Sequence, residues 1–265
     1  MIENPYLLTS APLTFQTTGI SLPAFPGVNL TNDNMDLEWR SSGLQQPYFV
    51  LGCAAPVDTI AVLYTNLRHT DKVRIRAGAT WDGTVSNPVY DSGEVEAYQG
   101  TKADPFTTKT IIDLALSVTA PFWRFDFVAP DHPDGQIKVA RVVMGERFEI
   151  KNDSDNLAGI RYGWEPTMYD DSTITTGPNY EDVQEYPSRP GVKATLGSLD
   201  EDTANRLYPF MMRVGFKKPV LFAPEPSNLD TAQHWTVYGR LKATKFQNPY
   251  YKWWDIDVEV SGLKS

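Results

Sequence analysis

Lys72-Val73-Arg74-Ile75-Arg76-Ala77 alternates polar and apolar residues without a slip. Strand side chains point to opposite faces with a period of two. Val73, Ile75 and Ala77 are therefore expected in a core, and Lys72, Arg74 and Arg76 toward solvent or a partner. Phe122-Trp123-Arg124-Phe125-Asp126-Phe127-Val128 repeats the pattern, with Arg124 and Asp126 on one face. Working outward, Tyr48–Leu51, Thr59–Tyr64, Thr110–Leu114 and Gln136–Gly145 read as further strands. The turn pairs Asp82-Gly83, Ser92-Gly93 and Asp134-Gly135 separate them. No helix of ordinary length is expected before residue 150. Short strands without intervening helices predict a β-sandwich or barrel for the first half.

The rest of the chain reads differently. Residues 1–26 carry Pro5, Pro12, Pro23 and Pro26 and are expected to form an extended arm with one short strand near Leu13–Thr17. The arm packs on its own domain or reaches a neighbouring subunit. Residues 27–148 form the expected sandwich, and residues 149–265 a second β-rich domain. Its expected strands are Gly159–Trp164, Asp182–Tyr186, Val192–Leu196, Pro219–Phe222, Trp235–Leu241 and Lys252–Val260. Ala204, Leu207, Met211 and Val214 have helical spacing, so one short helix is expected near 199–214. Ser198 and Glu201 fit a capping box, and Gly215 fits a stop. Pro209 is expected to kink this helix or confine it to about Leu199–Tyr208. The fold class is thus mainly β, a sandwich followed by a β-rich unit with one helix.

Composition excludes several functions. The chain has 265 residues, 41% hydrophobic and 22% charged, which is globular rather than disordered. A net charge of −9 disfavours nucleic acid and anionic membranes. No stretch approaches the roughly 18 apolar residues of a membrane span. The N-terminus lacks the basic and apolar regions of a signal peptide. The chain is expected to be made in a cytoplasm and to stay there or leave inside an assembly. With Cys53 as its one cysteine it has no intrachain disulfide, and the apolar run around Cys53 reads as core.

Catalytic and metal constellations are not visible. His69, His132 and His234 are not at metal-ligand spacing, and His132 sits in a turn-like Asp131-His132-Pro133-Asp134-Gly135 that reads as surface. Neither a nucleophile elbow nor a phosphate loop occurs. Asn152-Asp153-Ser154-Asp155-Asn156 resembles a calcium loop but lacks the required Gly and Glu, with Ala158 and Trp164 in their places, and reads as an Asx-rich turn. Asp255, Asp257 and Glu259 alternate with Ile256, Val258 and Val260 and read as the wet face of a strand. No catalytic residue, cofactor or metal ligand is assigned.

Two features could meet a partner. The row Lys72, Arg74 and Arg76, with Trp81 just beyond it, could face an acidic partner or a glycan; as a plain solvated strand face the row needs no partner. Tyr250, Tyr251, Trp253 and Trp254 crowd four aromatics into five residues. On a strand they must split between two faces. One face joins the core, and the other suits a subunit interface or sugar stacking.

Asn29 to Gly145 resembles the galactose-binding-like, or discoidin-type, jelly-roll. The resemblance rests on Trp39-Arg40, Tyr48–Gly52, Val57–Leu63, Asn66-Leu67, Val73–Ala77, Phe122–Phe127 and Ile137–Val142. Thr59–Leu67, Lys72–Ala79, Ile137–Ile150, Val192–Pro226 and Trp235–Leu241 are similar to virion proteins of long-tailed bacteriophages, found among tail-tip or baseplate genes. That resemblance implies a non-enzymatic structural subunit of a symmetric tail assembly, located in the virion and assembled in the host cytoplasm. Its partners would be other tail proteins and further copies of itself in a ring. The alternative is a carbohydrate-binding module for host surface glycans. A glycan-degrading enzyme is the third reading, and no catalytic constellation accompanies it.

Overall fold

A computed structural model of the chain describes residues 4–100, 108–151, 161–169, 173–177, 180–184, 188–250 and 252–263. The first half contains β1 (Tyr6–Leu8), β2 (Thr14–Thr18), β3 (Trp39–Arg40), β4 (Tyr48–Gly52), β5 (Pro56–Thr65) and β6 (Lys72–Gly78). A single helical turn α1 (Gly83–Ser86) precedes β7 (Tyr90–Glu96), β8 (Thr108–Thr119), β9 (Phe122–Val128), β10 (Lys138–Gly145) and β11 (Arg147–Glu149). The second half contains β12 (Arg161–Tyr169), β13 (Thr173–Gly177), β14 (Tyr180–Gln184), β15 (Arg189–Leu199), α2 (Glu201–Val214), β16 (Pro219–Ala223), α3 (Leu229–Trp235), β17 (Val237–Tyr250) and β18 (Trp253–Gly262). The chain is mainly β.

A five-stranded sheet, β2-β4-β9-β6-β7, packs on a four-stranded sheet, β3-β10-β5-β8. All their pairings are antiparallel. The core between them holds the inward residues of the alternating strands: Phe49 and Leu51, Val73 and Ile75, Trp123, Phe125 and Phe127. Against them lie Ile60, Val62, Val142 and Met144. Trp39 meets Phe49 edge-on at 5.1 Å and stacks on Phe127 at 5.8 Å, and Phe49 stacks on Phe125 at 4.9 Å. Offset and edge contacts of this kind add to area burial.

The four-stranded sheet is covered on both faces. Ala61, Leu63, Ala140 and Val143 point away from the sandwich core and pack on Tyr6, Leu8, Leu221, Ala223 and Tyr238. Those residues belong to a seven-stranded sheet, β11-β1-β16-β17-β18-β15-β12. Double burial explains why Thr59–Leu63 and Val139–Gly145 are near-continuous apolar runs, whereas β6 and β9 alternate. The far face of the seven-stranded sheet packs on α2 through Val192, Leu196, Leu207, Met211, Val214 and Val258. The layers therefore run five-stranded sheet, four-stranded sheet, seven-stranded sheet, helix.

The N-terminal segment links the outer layers. Tyr6–Leu8 pairs with both β11 and β16, while Thr14–Thr18 lies in the five-stranded sheet beside β4. Buried cations tie the same seam. Arg141 donates to the Leu30 carbonyl at 2.9 Å and lies 3.2 Å from Asp33, which also accepts from Tyr238 at 2.8 Å. Arg147 reaches Glu149 at 2.8 Å and both Asp58 and Asp113 at 3.7 Å. Burial raises the Asp113 carboxyl above the usual carboxylate range, and Arg147 opposes that shift.

Helix α2 corrects two expectations. Its N-cap is Asp200, not Ser198: the Asp200 carboxylate accepts from the Thr203 N–H at 2.7 Å. Ser198 is instead the next-to-last residue of β15, in the left-handed region with φ of 63°. The helix also runs through Pro209 to Val214 rather than stopping near Tyr208. The proline removes the donor for the Asn205 carbonyl, but both residues are exposed, so water can take that bond. Gly215, at φ 57°, ends the helix as expected. Helix α3 was not anticipated from sequence. Asn228 caps it, and Lys109 donates 2.9 Å to the Gln233 carbonyl near its end.

Candidate functional site

The basic row is where its period placed it, on the outer face of β6, but its charges are matched. Lys72 pairs with Glu94 at 3.1 Å, Arg74 with Asp91 at 2.5 Å, and Arg76 with Asp126 at 2.7 Å. Arg124 shares Asp126 at 2.8 Å and lies 3.6 Å over the Tyr48 ring. The neighbouring strands β7 and β9 supply these carboxylates from diagonal positions in the register. Arg74 holds the Asp91 carboxyl below the usual range. Trp81 is 52% exposed. It lies in the connection after β6, beyond the end of the strand that carries Arg76.

The hairpin of β17 and β18 splits the terminal aromatics. Trp254 joins the helix-side core, while Trp253 is 46% exposed on the other face. Tyr250 pairs with Trp253 at the end of the hairpin; Tyr251 lies outside the described residues. So does the Asx-rich run 152–156. His132 is buried rather than on the surface: its Nε2 lies 2.7 Å from the Asn66 carbonyl, where it braces a turn. Cys53 is buried, and burial pushes its thiol pKa up, away from reactivity.

The distal parts of β12, β15, β17 and β18 form a polar face opposite the helix. The alternation that buries Trp254, Ile256 and Val258 turns Trp253, Asp255 and Asp257 the other way. Cross-strand neighbours of that row are Gln247, beside Asp255, and Thr195 and Lys245, on either side of Asp257. Together with Tyr162, Gly163 and Gly197 they line an open groove of about 500 Å³. A side chain at Gly163 would meet nothing within 4 Å, so the glycine leaves the groove floor bare. Asp257 accepts from the Thr195 hydroxyl at 3.0 Å, and Asp255 from the Ser198 N–H at 3.0 Å. The Asp255 bond secures the left-handed turn at Ser198, where β15 shifts register. The Tyr162 hydroxyl donates to the Pro224 carbonyl at 2.7 Å, and burial raises its pKa strongly.

The groove thus offers carboxylates, an amide and a hydroxyl on one concave surface. Trp253 stands one pleat repeat, about 7 Å along the strand, from Asp255. Sequence reading marked Asp255 and Asp257 only as a wet strand face. Thr195 and Gly163 lie far away in the chain, and Gln247 stands on the other arm of the hairpin, so no periodicity within β18 connects them with the aspartates. The hint was the aromatic turn next to the acidic alternation, which marks a hairpin longer than its apolar part.

No family model matches the sequence, and no curated protein matches it. Among solved structures, the chain is similar to the family 32 carbohydrate-binding module of Clostridium perfringens NanJ, solved with galactose. That match has 13% identity and a TM-score of 0.40, and covers 51% of this chain and 97% of the module. The C-terminal domain of a Bacteroides fragilis chitobiase matches at 15% identity and a TM-score of 0.38, over 55% of this chain and 99% of that domain. The lectin domain of lectinolysin, solved with Lewis B antigen, matches at 7% identity and a TM-score of 0.36, over 51% of this chain and 91% of that domain.

Proposed function

We propose that the chain is a binding protein rather than an enzyme, and that its groove on the β17–β18 hairpin takes neutral carbohydrate. The observation that carries this reading is the lining of the groove: Thr195, Gln247, Asp255 and Asp257 around a bare glycine floor. A sugar ring presents rows of hydroxyls that donate and accept at once. Carboxylates fixed by their own hydrogen bonds accept from such rows, and the Gln247 amide can both donate and accept. The exposed indole of Trp253 supplies the flat apolar surface that the other face of a sugar needs. The two aspartates argue against an anionic glycan. A volume of about 500 Å³ lies within the usual range for small-ligand sites. The aspartates stand on an open polar face, without the apolar enclosure that turns a carboxyl into a general acid.

The test is a glycan array, followed by calorimetry on any hits. Neutral glycans are expected to bind wild-type protein and to lose at least about tenfold in affinity with Asp257→Ala or Trp253→Ala, as for central binding residues. Trp81→Ala is expected to bind normally. An array without hits, or binding lost only with Trp81→Ala, removes this reading.

A second reading, a virion subunit of a phage tail tip or baseplate, draws on a different surface. Trp81, Val85 and Val89 are all exposed on the β6–β7 connection, an apolar cap at one end of the sandwich. Assembly with tail proteins that Trp81→Ala abolishes would favour it; failure to assemble with any tail partner counts against it.

A further inference from the structure

Helix α2 has one face in the core, and its other face is patterned. Tyr208, Met212 and Phe216 follow one another at four-residue spacing and are 50%, 65% and 62% exposed. Phe216 lies just past the helix stop at Gly215. Phe246 meets the Tyr208 ring edge-on at 5.1 Å, so the Tyr208 end of the stripe is braced by the body of the protein. The charges around the stripe are segregated apart from Arg206, whose guanidinium turns toward the Thr203 hydroxyl and the Phe148 ring. Glu201 and Asp202 mark the N-terminal end, and exposed Arg213, Lys217 and Lys218 the C-terminal end.

We propose that this face pairs with the same face of a second copy, with the two α2 helices antiparallel across a twofold axis near Pro209. The arrangement is self-complementary. Reversing one helix sets its acidic end against the basic end of the other, and the opposed helix dipoles add to that match. The apolar stripes meet in the middle, where large exposed side chains gain most from leaving water. The pairing also brings Arg213 of one copy opposite Asn205 of the other, the residue whose carbonyl Pro209 leaves without a helix donor. A helix face of one charge would repel itself in this arrangement; this one does not. The groove lies on the opposite face of the seven-stranded sheet, so pairing leaves both copies' grooves open. The proposal goes beyond both functional readings and depends on neither.

Two charge variants test it with light scattering over a range of concentrations. Glu201→Lys with Asp202→Lys makes both ends of the helix basic. Arg213→Glu with Lys217→Glu and Lys218→Glu makes both ends acidic. Wild-type protein is expected to reach the mass of two chains. Each variant alone is expected to associate about tenfold more weakly or worse, as for like charges brought together in an interface. An equimolar mixture of the two variants is expected to recover the two-chain mass. That recovery also shows that the variants are folded. Met212→Glu is expected to leave a single chain. Wild-type protein that keeps a one-chain mass at every concentration overturns the proposal. So does a two-chain mass that all the variants preserve.

Discussion

Two rows of polar residues in this molecule look alike in sequence and behave differently in the fold. On β6, Lys72, Arg74 and Arg76 alternate with core residues; on β18, Asp255, Asp257 and Glu259 do the same. The first row meets an opposite charge on each neighbour: Glu94 and Asp91 from β7, Asp126 from β9. Its charges are matched within the sheet. In the second row Asp255 has Gln247 opposite it, Asp257 has Thr195 and Lys245 on either side, and Glu259 has Lys193 opposite it and accepts from the Tyr169 hydroxyl; a groove opens beside the two aspartates. No ion pair within 4 Å joins Asp257 to a cation among the described residues. Strand alternation decides which way a side chain points. Whether it then meets a close ion-pair partner depends on which strands are its neighbours.

The comparison can be broken at several levels. The largest effects lie beneath the two rows. Phe125→Ala, on the inner face of the strand that carries Arg124 and Asp126, is expected to cost about 3–5 kcal/mol by denaturant unfolding. Ile256→Ala, beneath the acidic row, is expected to cost about 2–5 kcal/mol in the same experiment. Both residues are fully buried, so the two rows rest on comparable foundations. A much smaller loss for Ile256→Ala would mean that the groove sits on a loosely packed part of the sheet.

On the surface the rows should separate. Asp257→Ala is expected to change stability by less than about 1 kcal/mol, because it removes one exposed hydrogen bond. The same substitution is expected to remove most glycan binding. Arg74→Ala should leave glycan binding unchanged and shift stability by no more than about 0.5 kcal/mol, as for an exposed pair. Its signature is a titration. Arg74 depresses the folded-state pKa of Asp91, so the pair's contribution is complete above the ordinary aspartate range. It is lost as pH falls through the depressed Asp91 pKa. In Arg74→Ala that midpoint should rise toward the ordinary value, which carboxyl chemical shifts can follow. An unchanged midpoint would mean that Gly93, whose N–H also donates to Asp91 at 2.9 Å, is what holds it down.

Much of the fold was legible because local geometry carries it. The strands of the sandwich announced themselves through alternation or apolar runs, and α2 through the spacing of Ala204, Leu207, Met211 and Val214. Other elements had too little local signal. Tyr6–Leu8 is three residues long, and Trp39–Arg40 two. The continuation of β17 from Lys242 to Tyr250 has no apolar rhythm; it is extended because β18 pairs with it along most of its length. The candidate site suffered most. Thr195 is tens of residues from Asp257, and Gln247 lies across the hairpin turn; the three share a surface only because β17 and β15 flank β18.

By itself, then, the sequence determined which residues of each strand are wet and which are dry, and where α2 ends at Gly215. Those are consequences of a two-residue period, a helical period and one glycine's backbone freedom, all local properties. The tertiary structure alone decided that the four-stranded sheet is covered twice, that Arg76 finds Asp126, and that Asp257 lies in a groove beside Thr195. Strand partners are chosen by burying apolar surface across the whole chain, and that choice has no local signature.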